Sequence, residues 1–228
     1  MKRNEWLAAL LIAASFALPI AGAQAEDAAK GATAPAAAAN TSPPPGFEAK
    51  FTYCRTCHGL SGQGFRADLT MPRLAGQQPD YFKNQVQAFI DRRRKSNVMY
   101  NVAHVLTPGM LDAIIAGFDK LNPKALPPVL EATQDQIAQG KKIFTEGNDA
   151  ANIPPCSSCH GEDAKGNSQF PRLAGQPDDY IVKKLTNWDK ERGQDTGNPD
   201  TSAIMQPIAH NLKDDQIKAV AAYLTRLE

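Results

Sequence analysis

Outside two five-residue segments the chain has no cysteine. Its four cysteines fall at Cys54, Cys57, Cys156 and Cys159, so no disulfide framework can be built without consuming those segments. Charge of one sign is not in excess either, with 25 basic against 24 acidic side chains, which excludes the basic footprint of a nucleic-acid binder. Aromatic residues make up only 7%, and nowhere does an alternating apolar pattern of strand type run for long. Large apolar side chains are sparse for 228 residues, so the centre of each folded unit must be filled by something besides side chains.

The one long apolar run is WLAALLIAASFALPIAG near the start, which is short for a membrane span and broken by Pro19. Lys2 and Arg3 precede it and Ala23-Gln24-Ala25 follows, the pattern of a signal peptide cleaved near Ala25. Residues 1–25 are therefore expected to direct export to the periplasm. Residues 26–46 are mostly Ala, Pro, Gly and Thr and cannot bury enough apolar surface to offset the entropy of ordering; they are expected to form a flexible tether.

Beyond the tether the chain repeats itself. PRLAGQQPDY (Pro72 to Tyr81) and PRLAGQPDDY (Pro171 to Tyr180) agree at eight of ten places, and VMYNVAH (Val98 to His104) aligns with IMQPIAH (Ile204 to His210). The offset is 102 at the cysteines, 99 at PRLAGQ and 106 at the methionines, so the landmarks keep their order while loops differ in length. The join falls in LNPKALPPVLEATQ, where Pro123, Pro127 and Pro128 forbid a continuous helix. Two domains are expected, 47–128 and 129–228.

Short helices and long loops are expected in each. FEAKFTYC follows PPPG as an entry helix, Pro79 opens PDYFKNQVQAFIDRRR, and Thr107-Pro108 forms an N-cap and N1 pair for TPGMLDAIIAGFDKL. In the second repeat Thr133 caps TQDQIAQGKKIFTEG, PDDYIVKKLTNWDKE corresponds to the middle helix, and DDQIKAVAAYLTRL closes the chain. The fold class is all-α.

The two cysteine segments, CRTCH and CSSCH, have the spacing of c-type haem attachment. Two thiols bond the porphyrin vinyl groups and the adjacent imidazole binds iron. Structural zinc does not require the helix, histidine and later methionine found in each repeat. A thioredoxin-like pair lacks its βαβ context, and a disulfide leaves His58 and His160 unexplained. The cofactors expected are two covalently bound haem c groups, on Cys54 and Cys57 with His58 as proximal ligand, and on Cys156 and Cys159 with His160.

A sixth ligand separates a carrier from a catalyst. Beyond the signal peptide the methionines are Met71, Met99, Met110 and Met205, and only Met99 and Met205 are related by the repeat. Each is expected in a loop before a terminal helix, folded over the haem, where a thioether gives a saturated, high-potential iron. His104 and His210 are also repeat-related and are the rival ligands; surface positions are expected for both. The carbonyls of Pro72 and Pro171 are candidates to accept the proximal imidazole N–H. Arg73 and Arg172, with Tyr81 and Tyr180, are candidates to pair with haem propionates.

These features together resemble the dihaem cytochrome c4 family: two Cys-x-x-Cys-His segments, PRLAGQ with its tyrosine, a later Met, and a closing helix ending in AVAAYL. The likeness covers residues 47–228. It implies tandem class I cytochrome c folds about a pseudo-twofold axis, with propionates approaching each other. It also implies a periplasmic electron carrier, not an enzyme, fed by a quinol-oxidising complex or a soluble donor and delivering to a membrane terminal oxidase, with loose membrane association. The first repeat departs from the family pattern in its IIAGFDKL ending and in RRRK at Arg92 to Lys95. The alternative is the dihaem subunit of a flavocytochrome sulfide dehydrogenase. A catalytic thiosulfate dehydrogenase requires a cysteine on its catalytic haem, and none is spare here.

Charge is unevenly divided. Residues 44–128 carry a net +5 and residues 129–228 a net −4. Such a two-ended molecule steers docking and makes association salt-dependent, with RRRK expected near the contact with an acidic partner.

Overall fold

The computed structural model describes residues 42–192 and 202–228. The expected signal peptide, and all but the end of the expected tether, lie outside the described residues.

Both repeats are helical, for the local reasons the sequence supplies. In the first, α1 (Phe47–His58) follows the proline run and carries Cys54 to His58 in its last turns. Next comes α2 (Pro79–Ile90), opened by its proline, then α3 (Asn97–Ala103) and α4 (Pro108–Asp119). Thr107 caps α4, its side-chain oxygen accepting from the Met110 N–H at 3.3 Å. In the second repeat α5 (Gln134–Glu146) begins with a capping box, Thr133 and Gln136 each bonding the other's backbone N–H. A short 3₁₀ turn (Asp149–Ala151) leads to α6 (Ser157–His160), which carries the second haem segment. The expected middle helix breaks at Asn187 into α7 (Asp178–Thr186) and α8 (Trp188–Glu191), and α9 (Ser202–Asn211) and α10 (Asp214–Leu224) complete the chain.

Two elements differ from the sequence reading. Residues Phe65–Arg66 (β1) and Thr70–Met71 (β2) pair as a two-residue antiparallel ribbon, too short to leave an alternating pattern. Met99 and Met205 stand on helices α3 and α9, not in loops. The seven-residue α3 is too short to show helical periodicity, and Pro207 inside α9 obscures it there.

Each repeat has its own core. The first is aromatic, with Phe51, Phe82, Phe89 and Phe118 around Ile114 and Val86; Phe51 and Phe118 meet edge to face at 4.9 Å. The second is aliphatic, with Ile143, Ile153, Ile181, Ile217, Val220 and Leu224 around Phe144. Among the described residues no single helix is long and apolar enough to cross a membrane.

The PRLAGQ segments meet at the boundary between repeats. Gln77 accepts the Arg172 N–H at 2.7 Å and donates to the Arg172 carbonyl at 3.2 Å. Gln176 does the same to Arg73, at 3.0 and 2.8 Å. Each buried glutamine thus pairs with the other repeat's backbone as a neighbouring strand would, and leaves no group of its amide idle. A second tie is one-sided: Asp178, wholly buried, accepts from Arg66 at 2.6 Å and from the N–H groups of Val129 and Leu130, pinning the connecting segment.

Candidate functional site

Each proximal histidine is fixed from behind. His58, at the end of α1, is 7% exposed, and its Nδ1 lies 3.0 Å from the Pro72 carbonyl; His160, at the end of α6, lies 2.9 Å from the Pro171 carbonyl. A carbonyl can only accept, so Nδ1 carries the proton and Nε2 is left with a lone pair. Burial pushes both imidazoles below their usual range, against the smaller opposing effect of the carbonyl bond. A neutral ring with Nε2 unprotonated is the form that binds a metal. Behind each ring the loop is drawn in tightly: Gly64 donates to the His58 carbonyl and Gly166 to the His160 carbonyl, both at 2.8 Å and both at positive φ.

None of the four cysteines is paired in a disulfide. Burial raises the Cys54 thiol and pushes Cys156 up to about 11. Among the described residues no cluster of three or more His, Cys, Asp or Glu side chains is placed to hold a metal ion.

A cavity of about 400 Å³ opens beside these groups and runs continuously through both repeats. Cys54, Cys57, His58 and Met99 line one part; Cys156, Cys159, His160 and Met205 line the other. Apolar side chains complete the wall, among them Val86, Phe89, Leu111, Ile181, Ile208 and Leu212. Two buried donors on the lining, Arg172 Nη2 and Trp188 Nε1, have no acceptor. An apolar slot with imidazole and thioether on its walls and unanswered N–H groups fits a flat apolar macrocycle bearing carboxylates, which is haem.

The tyrosines and arginines expected around the haem divide. Tyr81 and Tyr180 line the cavity, and the Tyr180 hydroxyl receives Arg94 Nη2 at 2.8 Å. Arg73 has other work: its guanidinium donates to the carbonyls of Ala75 and Pro123 at 3.1 and 2.8 Å and to Asn122, tying the connecting segment down. Burial and the facing Arg172 push it down to about 10, still protonated at neutral pH. Arg172 donates to the Ala174 carbonyl at 3.0 Å and keeps Nη2 unanswered. Both arginines line the cavity, Arg172 with a donor free and Arg73 with its guanidinium already engaged.

His104 and His210 are exposed and line no part of the cavity. His104 bonds the Tyr100 carbonyl at 2.9 Å, and His210 bonds Asp189 at 2.6 Å.

The basic run at Arg92 to Lys95 is only partly exposed. Arg92, at positive φ, lies over the Tyr100 ring at 3.5 Å and stays exposed, Arg93 pairs with Asp91, and Arg94 is buried. Lys95 is exposed at the rim of the cavity. Sequence reasoning missed Gln85, Arg94, Trp188 and Arg192 on the cavity wall. The repeat itself held a signal for one of them, because Phe89 and Trp188 share the offset of 99 set by PRLAGQ.

Comparison with known proteins agrees with this geometry. Residues 137–228 match the Cytochrome c family model. The chain is 33% identical to cytochrome c4 of Pseudomonas aeruginosa, over 79% of this chain and 86% of that one. It is also 33% identical to a thiosulfate dehydrogenase electron acceptor of Thiomonas intermedia, over 75% of this chain and 76% of that one. Its structure resembles the crystal structure of reduced recombinant cytochrome c4 from Pseudomonas stutzeri, with a TM-score of 0.67 and 29% identity over 80% of this chain and 97% of that one.

Proposed function

Because the chain belongs to the dihaem cytochrome c4 family, we propose that it shuttles electrons in the periplasm, from a quinol-oxidising complex or a soluble donor to a membrane terminal oxidase. It is an electron-transfer protein of two tandem cytochrome c-like domains and carries two covalently bound haem c groups. Each haem supplies one iron that cycles between ferric and ferrous states.

The observation that carries the reading is the single cavity holding both sets of haem-binding residues. One repeat would receive an electron and the other release it. Cysteine pairs Cys54/Cys57 and Cys156/Cys159 would anchor the groups, His58 and His160 would supply imidazole ligands to the irons, and Met99 and Met205 would supply thioether ligands. A methionine on each distal side excludes oxygen and small substrates, so the protein passes electrons and transforms nothing.

The first repeat is the docking end. It exposes Tyr53, Leu60, Phe65 and Leu69, where the repeat-related positions of the first three are Pro155, Glu162 and Asn167. An apolar collar on a half of net charge +5 suits an acidic partner with an apolar centre. This collar takes the place of the Arg92 to Lys95 run as the contact.

The test is the oxidation rate of the reduced protein by oxidase-containing membranes from its own organism, at several salt concentrations. Fast oxidation that an oxidase inhibitor stops and that salt slows supports the shuttle. Negligible oxidation at every salt concentration defeats it.

A second reading is favoured by the Thiomonas intermedia relative, whose name makes it the electron acceptor of a thiosulfate dehydrogenase. On that reading the protein accepts electrons from a sulfur-compound dehydrogenase, a flavocytochrome sulfide dehydrogenase being one form. Copurification with such an enzyme, and reduction by it, distinguishes the two.

A further inference from the structure

Where the repeats meet, buried positive charge collects with little negative charge to match. Arg94 and Arg192 are each 7% exposed and sit on segments joined by an antiparallel backbone bridge. Each guanidinium lies over an aromatic ring of its own repeat, Arg94 over Phe89 at 4.7 Å and Arg192 over Trp188 at 4.4 Å. Both then converge on one neutral atom, Gln85 Oε1, at 2.8 and 2.9 Å. Arg94 reaches further, to the Tyr180 hydroxyl of the other repeat.

Two like charges on a shared amide oxygen are an unstable arrangement in a low-dielectric boundary unless an anion completes it. Among the described residues neither arginine has a carboxylate within ion-pair distance. Glu191, the acidic group whose field reaches Arg94, is bonded to Lys184. Burial and the nearby Arg94 push the Lys184 amine down to about 8, as expected where cations outnumber anions. Each guanidinium has five N–H donors; Arg94 uses its two Nη atoms as described and, among the described residues, the Arg192 guanidinium donates only to Gln85. Beside them Trp188 Nε1 is buried without an acceptor.

Gln85, Arg94, Tyr180, Lys184, Trp188 and Arg192 all line the cavity that the haem-binding residues of both repeats share. The missing partner is therefore an anion reaching this boundary from within the cavity. Haem supplies two carboxylate arms per group, and two groups share this cavity.

We propose that Arg94 and Arg192, with Trp188, form one anion clamp that holds the propionates of both haems and sets the potential of both together. It is distinct from Arg73, whose guanidinium is engaged by loop carbonyls. Planar guanidinium forks suit carboxylates, and Gln85 and the two aromatic rings hold the forks in place. A fixed positive charge beside the sites disfavours the ferric state, so its removal lowers the potential. Because the clamp is shared, removing either arginine acts on both haems.

The experiment is an optical redox titration of the full-length two-haem protein as Arg94→Gln, Arg94→Lys and Arg192→Gln. For Arg94→Gln the reduction equilibrium of each haem is expected to shift about tenfold toward the oxidised form, which is about 59 mV for a one-electron couple. Arg94→Lys recovers most of the shift, and Arg192→Gln reproduces Arg94→Gln. A merely structural tie between the repeats lowers stability and leaves the potentials alone, so two unchanged potentials in a haem-loaded variant overturn the proposal. A shift confined to one haem in each arginine variant overturns it as well. If Arg94→Gln does not accumulate with haem, Arg192→Gln and Trp188→Phe carry the test. A fall in both potentials then supports the clamp, the tryptophan variant falling less, and no fall in either refutes it.

Discussion

The two repeats are alike where they touch each other and unlike where they face away. At the boundary Gln77 and Gln176 make the same pair of bonds to Arg172 and Arg73, related by the offset of 99. On the outside, α1 runs straight into its haem segment, whereas α5 ends at Gly147 and a loop with a 3₁₀ turn intervenes before Cys156. The helix pairs behind the haem segments also differ. α1 meets α4 through phenyl rings, while α5 crosses α10 so closely that a Cβ on Gly140 would sit on the Ala219 carbonyl oxygen. A reciprocal contact constrains both partners at once, because each glutamine needs the other repeat's backbone in register. A core constrains only its own repeat, and an aromatic or an aliphatic filling serves equally well.

The sharpest test of likeness at the sites themselves is the distal ligand. Met99→Ala and Met205→Ala are each expected to abolish the iron–methionine absorption band of one haem completely and to spare the other. An undiminished band in either variant removes that methionine from the assignment and makes the two sites unequal. The sharpest test of unlikeness is in the helix crossings. Gly140→Ala is expected to cost about 3 kcal/mol or more in denaturant unfolding of the haem-loaded protein, because helix backbone must move to make room. Gly117→Ala meets phenyl side chains and no backbone, Phe51 at 3.0 Å and Phe47 at 3.4 Å, and part of its cost is offset by the better helix propensity of alanine. It should fall near 1 kcal/mol or below. Equal losses would mean that the two crossings are equally tight.

Legibility in the sequence followed the same division. The helix start at Pro79 could be read because proline presets the first helical turn, and those at Thr107 and Thr133 because capping is local chemistry, a side chain answering an N–H three residues on. The short α3 and the proline-bearing α9 could not, since neither shows a helical period, and so the methionines were expected in loops. Cysteine and histidine spacing made both attachment segments plain. The basic run misled because composition does not report burial: Arg94 points inward to Gln85 and Tyr180, partners that lie 9 and 86 residues away. The partners of Arg73 were equally illegible, since its guanidinium bonds Asn122 and the Pro123 carbonyl about fifty residues away.

If the boundary is symmetric in energy as well as geometry, Gln77→Ala and Gln176→Ala should cost the same. Each leaves one buried arginine N–H and one carbonyl without a partner, about 1–3 kcal/mol per variant, read as a fall in the denaturant midpoint. A difference larger than about 1 kcal/mol would show that one glutamine carries the boundary and the other follows. The one-sided Arg66–Asp178 tie is the obvious source of such a difference, since it braces the connecting segment on the Gln176 side only.

The smallest effect separates the starts of the two closing helices. At α4 the Thr107 hydroxyl oxygen accepts the Met110 N–H, whereas at α10 the matching position is Lys213, which has no oxygen to offer. There the bond runs only the other way, from the Lys213 N–H to the Gln216 side chain at 3.0 Å. Thr107→Ala should therefore cost about 1 kcal/mol, and Lys213→Ala no more than a few tenths, because its backbone N–H survives the substitution. Thermal unfolding of the two haem-loaded variants side by side resolves this difference. A Lys213→Ala loss as large as that of Thr107→Ala would mean that the lysine stem packs on the closing helix, and that the second repeat replaces a missing cap with apolar contact.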